Sequence, residues 1–77
     1  MLFGIELVES NVIKLIDIAY SCIFEIKMAV VTYEDYLPVV DEHIGHLKTL
    51  MSYPWFVNAL TESQRQYIEA GMLLTHR

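Results

Sequence analysis

The residues best equipped for chemistry stand together in Asp41-Glu42-His43-Ile44-Gly45-His46. On an α-helix His43 and His46 lie one turn apart, as do Glu42 and His46, so imidazole and carboxylate groups could converge on one metal ion. A zinc or di-iron site of that kind draws a second set of ligands from a facing helix, usually another Glu-x-x-His or His pair. This chain offers none, and His76 near its far end is the only other histidine. A second copy of the chain could supply the missing ligands by symmetry, which keeps a metal-binding helical protein using His43 and His46 as the weakest of the readings. The plainer reading is a solvated helix face with no metal and no cofactor.

Glu34, Asp35, Asp41 and Glu42 form the densest acidic group, around the start of the same helix. Negative charge there is favoured by the helix dipole, at about 0.3 to 1 kcal/mol per residue. The sharper alternative is a patch that docks on a basic surface and blocks a nucleic-acid-binding site on its target. Tyr53-Pro54-Trp55-Phe56 gathers aromatic rings at a bend. Such residues dominate interface hot spots, but they also close the end of a small helical core, and the lid is the favoured reading. Tyr33 and Tyr36 carry the same ambiguity at another turn. Partner-binding candidates are therefore Tyr53, Trp55, Phe56, Glu34, Asp35, Asp41 and Glu42.

The single cysteine, Cys22, cannot form a disulfide within the chain and falls on an apolar helix face, where a thiol behaves as a small hydrophobe. This fits a reducing compartment. A reactive thiol would need an exposed site beside a cation. No glycine loop that cradles phosphate, no Cys-x-x-Cys and no Ser, His and acid spacing is present, so the chain reads as non-enzymatic.

What must position these residues is a long helix. Between Val8 and Val31, the residues Val12, Ile16, Ala19, Ile23, Ile26 and Val30 recur at steps of four and three and lay one apolar seam along a helix. Glu6, Ser10, Lys14, Asp17, Ser21 and Glu25 repeat at similar intervals on another face. The two patterns predict a first helix over Glu6 to Val30, outweighing a strand reading of Ile23 to Val31, with Met1 to Ile5 fraying or extending it. At about 1.5 Å per residue a helix of ~24 residues is about 36 Å long, more than the ~30 Å diameter of a compact chain of this size. Such a helix overhangs its own domain. With Ile13, Leu15, Ile18 and Cys22 added to the seam, it carries more apolar surface than one neighbour covers, and a second copy is the simplest cover.

Further along, Asp35 as N-cap places Pro38 at the third position of a second helix, Tyr36 to about Ser52, whose Leu37, Val40, Ile44, Leu47 and Met51 repeat the spacing. Gly45 within it costs about 1 kcal/mol relative to Ala, which close approach of another backbone at Ala19 would offset. Ser52-Tyr53-Pro54 ends this helix, and Pro54 opens a short one to Leu60. Thr61-Glu62-Ser63-Gln64 is a capping box, so a last helix starts at Glu62 and runs to about Thr75, with Tyr67, Ile68, Met72 and Leu74 inward or at an interface. His76 and Arg77 suit its C-terminal dipole, although Gly71 offers an earlier end.

The whole is an all-α fold, a single helical domain over residues 1–77: a long antiparallel helical hairpin plus a short helix and a C-terminal helix, a small helical bundle. Hydrophobic residues make up 55% of the 77, above the ordinary ~45 to 50%. The surplus points to burial between subunits, with Val12, Ile16, Ala19, Ile23, Ile26 and Val30 as the dimer seam. A net charge of -5 argues against direct nucleic-acid binding. The longest uncharged runs near the centre, Ile18 to Phe24 and Met28 to Tyr33, fall short of a membrane span. The start MLFGIELVES lacks the basic region of a signal peptide, so the expected location is cytoplasmic. The expected role is a homodimeric regulator, inhibitor or adaptor that occupies a surface of a protein target.

Overall fold

Helix α1 (Val12–Thr32) is the axis of the molecule, and α2 (Leu37–Met51), α3 (Pro54–Ala59) and α4 (Glu62–Met72) follow it. The computed structural model describes residues 1–73, and among them the fold is the all-α hairpin with two shorter helices expected from the periodicity. Residues 23 to 31 are helical, so the four-and-three spacing outweighs the β-branched side chains there.

The first helix begins six residues later than its polar stripe implied. Phe3 and Gly4 both take positive φ, 49° and 80°, and Leu2 and Ile5 exchange backbone hydrogen bonds of 3.0 and 2.9 Å across them. That is a tight turn of primed sign, in which Gly4 is at ease and Phe3 is strained. Val8 is extended, a 3-10 turn covers Glu9–Asn11, and the Asn11 side-chain amide donates to the Glu6 carbonyl at 3.0 Å. Leu2 folds back into the core. Met1 to Ile5 is therefore neither a frayed end nor an extension of α1.

With 21 residues, α1 is about 31 Å long, inside the 38 Å longest dimension of the molecule. The expected overhang is absent because the helix starts late. The accessible surface, 4960 Å², matches the ~4,900 Å² of a compact monomer of this mass.

The α1 to α2 connection is short, with Tyr33 extended and Tyr36 at the N-cap of α2. Asp35 is not the cap, and Pro38 falls at the second helical position, where its missing N–H is equally harmless. Against α1 lie Val40, Ile44, Leu47 and Leu50, while Leu37 is exposed and Met51 only half-buried. Phe56 from α3 and Ile68 from α4 complete the core.

Tyr53, the residue before Pro54, is extended and separates α2 from α3. The capping box is complete: the Gln64 N–H donates to the Thr61 hydroxyl at 3.1 Å, and the Thr61 N–H donates to the Gln64 side chain at 2.9 Å. This box stops α3 and restarts the chain as α4, which crosses α1 and α2.

The close approach expected at Gly45 occurs elsewhere. Gly45 is exposed, and a Cβ built there meets nothing within 4 Å. Gly71 is buried, and a Cβ there would lie 2.8 Å from Cγ1 of Ile23, itself wholly buried. Gly71 lets α4 reach α1, and the helix ends one residue beyond it, at Met72, close to the earlier end that this glycine offers. Leu74, the expected end at Thr75 and the terminal His76 and Arg77 lie outside the described residues. Among the described residues no helix is long and apolar enough to cross a membrane.

Candidate functional site

The six seam residues expected to meet a second copy meet the rest of their own chain. Ile16, Ala19, Ile23 and Ile26 are buried in the core, and Val12 and Val30 are half-buried against it. They cannot also face a partner without opening the bundle. The physical reason is that α2 and α4 together cover the inner half of α1, more than the hairpin alone would.

Surplus apolar surface does remain, on another side of the same helix. Ile13 is 71% exposed, Phe24 59%, Met28 43% and Val31 78%, with half-buried Tyr20 among them. At 100° per residue Ile13, Tyr20, Phe24 and Val31 fall within a narrow arc about 100° around the helix from the seam, and Met28 lies beside it. Asp17 and Lys27, both exposed, lie on or beside the same arc. Lys27 Nζ donates to the Tyr67 hydroxyl at 3.3 Å and stands 4.9 Å from that ring's centre, and Tyr20 packs on Tyr67 at 5.4 Å between ring centres. The site is thus an apolar strip five turns long with one acid and one base set into it. Its period is legible in the sequence, about 100° around the helix from the seam, but periodicity alone does not say which of two stripes the chain covers.

The aromatic bend divides. Phe56 is wholly buried and unavailable to a partner, which overturns its place among the binding candidates. Tyr53 and Trp55 are half-buried and stack at 5.1 Å between centres, over the end of the core. The bend is a lid whose outer rings stay accessible. Tyr33 is exposed and Tyr36 packs against the core.

Glu34, Asp35, Asp41 and Glu42 are all exposed. Only the first two stand at the start of α2, because that helix opens at Leu37 and its first turn holds no acid. The dipole effect fades within a turn, so Asp41 and Glu42 owe little to it.

His43 and His46 pack edge to face, with ring centres 5.9 Å apart. Nδ1 of His43 lies 2.8 Å from the Val39 carbonyl, an acceptor, so that nitrogen carries the proton and donates. His46 Nε2 is 3.9 Å from Glu42, and its ring meets Phe3 at 5.2 Å. Among the described residues no three His, Cys, Asp or Glu side chains converge as metal ligands.

Beside this pair, Phe3, Ile18, Ser21, Cys22, Glu25 and His43 line an open cleft of about 360 Å³. Cys22 is nearly fully buried, and burial, aided by the charge of Glu25, pushes its thiol up to about 11. A thiol held protonated in that way is a packing group rather than a nucleophile. Elsewhere, on α4, Arg65 bonds Glu62 through two nitrogens and Glu69 at 2.9 Å. The hydrogen bond from Arg65, then its charge, holds the Glu62 carboxyl below the usual range. Among the described residues no polar or charged side chain is buried, so the interior presents apolar groups only.

No protein-family model matches this chain, and neither does any curated protein or solved structure.

Proposed function

We propose that the protein is a non-enzymatic interaction module, a homodimeric regulator, inhibitor or adaptor that occupies a surface of a protein target. One observation carries this reading: after the core is closed, α1 still presents Ile13, Phe24, Met28 and Val31 to solvent along one line. Scattered exposed hydrophobics are ordinary, but a contiguous strip on a small monomer marks an association face. Tyr53 and Trp55 at the bend, and the acidic residues Glu34, Asp35, Asp41 and Glu42, lie off this strip and are available to the target. A buried free thiol at Cys22 fits work in the reducing cytoplasm.

The test is affinity capture from native lysate with the wild-type chain and with Phe24→Asp, together with mass in solution. Self-association or a stoichiometric partner, lost in the variant while its helical circular dichroism is unchanged, supports the reading. A chain that stays monomeric and retains no protein sensitive to this change overturns it.

A second reading, an acidic competitor for a nucleic-acid-binding site, is favoured by the exposure of all four acids, Glu34 and Asp35 just before α2 and Asp41 and Glu42 on it. It requires target binding that weakens with salt and on changing these acids to Gln or Asn. Binding indifferent to salt and lost on Trp55→Ala selects apolar docking instead.

A further inference from the structure

We infer that the occupant of the outer face of α1 is a second copy of the chain, lying antiparallel across a two-fold axis at the level of Cys22. This inference rests on the association reading above and adds the face of α1 at which the two copies meet and their register.

The argument is the order of residues along the strip. Ile13, Asp17, Tyr20, Phe24, Lys27 and Val31 succeed one another at steps of four, three, four, three and four, the spacing of a helix-pairing seam. When two such seams run antiparallel, the residue opposite each one is its mirror about the axis. Ile13 then meets Val31 of the other copy, Asp17 meets Lys27, and Tyr20 meets Phe24, all three pairs sharing one midpoint. Each pair is chemically matched: aliphatic with aliphatic, acid with base, ring with ring. By symmetry every pair occurs twice, so the contact holds two aromatic layers at its centre, two ion pairs outside them and aliphatic layers at both ends.

The charges select this arrangement. A parallel pairing in register would set Asp17 against Asp17 and Lys27 against Lys27, two like-charge contacts in an otherwise apolar seam. A shift by one heptad would set Asp17 or Lys27 against an apolar residue. Only the antiparallel register centred at residue 22 neutralises both. Lys27 is already held at the edge of the strip by Tyr67, so its ammonium reaches the position without ordering a free side chain. The buried core of one copy plays no part, since Ile23 and Ile26 are wholly covered within their own chain.

Sedimentation of the full-length chain tests the register with Asp17→Lys, Lys27→Asp, the double substitution, and an equimolar mixture of the two single variants. Both substitutions fall on exposed positions, and circular dichroism checks the fold. Each single variant makes both ion-pair layers like-charged and should weaken the dimer at least ~10-fold. The double variant and the mixture restore opposite charges in both layers and should recover affinity to within about threefold of wild type. Single variants that dimerise as wild type does, or a double variant that does not recover, overturn the register. A wild-type chain that remains monomeric at ~100 μM, a free energy weaker than about 5.5 kcal/mol, overturns the second copy as occupant. If that monomer still captures a partner lost on Phe24→Asp, the interaction-module reading stands without its homodimeric part while this inference falls; if it captures none, both fall.

Discussion

Ile23 and Phe24 are neighbours in the chain and belong to opposite worlds: the first is wholly buried, the second 59% exposed. The inner face of α1 is built from Leu15, Ile16, Ala19, Cys22, Ile23, Ile26 and Ala29, and the outer from Ile13, Tyr20, Phe24, Met28 and Val31. Hydrophobicity does not separate them. Nor does size, except that both alanines of α1, Ala19 and Ala29, lie on the inner face, where other helices come close. An amphipathic helix hides one stripe and wets the rest; α1 adds a second apolar strip beside its exposed Lys14, Asp17, Ser21, Glu25 and Lys27, and its own chain covers it on one side only.

The largest effect sharpens that contrast. A chain of this length has about 4 to 12 kcal/mol of stability, and Ile23→Asp places an unpaired charge in the core at a cost of ~4 kcal/mol or more. That variant should lose its thermal transition by circular dichroism. Phe24→Asp should keep the monomer's stability within about 0.5 kcal/mol, because nothing in the folded chain depends on it. Equal loss of fold in both would erase the distinction between the faces.

The glycines give the next contrast, and the two should move in opposite directions in denaturant titrations. Gly71→Ala pushes a Cβ into the immobile Ile23 and should destabilise by about 1 to 3 kcal/mol. Gly45→Ala meets open space and should stabilise by about 0.5 to 1 kcal/mol. A stabilising Gly71→Ala would mean that α4 does not seat against α1 as described.

Loss of the Thr61 cap tests whether α4 is seated by its own start. Thr61→Ala removes the acceptor for the Gln64 N–H and should cost ~1 kcal/mol, seen first as faster amide exchange in α4.

The last effect is a slope with pH, confined to the alkaline range. The folded Cys22 thiol ionises near 11, against about 8.5 in the unfolded chain. Between those values the folded state holds the extra proton, so stability should fall as pH rises through that window. Cys22→Ala costs some packing energy but should remove that part of the slope.

Much of the fold was written locally. The capping box at Thr61 and Gln64, the break before Pro54 and the four-and-three spacing of α1 and α2 all act within one or two turns, and each was found where the residues place it. Errors arose where a distant group decided the outcome. Glu6 and Ser10 continue the helical spacing, but the turn at Phe3 and Gly4 and the return of Leu2 to the core hold that segment out of α1. Gly45 looked like the point of close approach because it is mid-helix, whereas Gly71 is that point because α4 crosses there. The sequence sets Phe56 beside Tyr53 and Trp55 with nothing local to separate them, although one ring turns inward and two stay at the rim. As for the candidate site, the seam and the outer strip have the same period, and choosing between them needs the position of α2 and α4.

The chain by itself determined that it is helical, where three of its four helices begin to within a residue, and that it carries more apolar side chains than an average domain, because periodicity, proline and capping are local forces. Only the tertiary structure decided which of the two apolar stripes of α1 becomes core. Burial depends on where other segments pack, and that is a property of the folded chain rather than of any stretch within it.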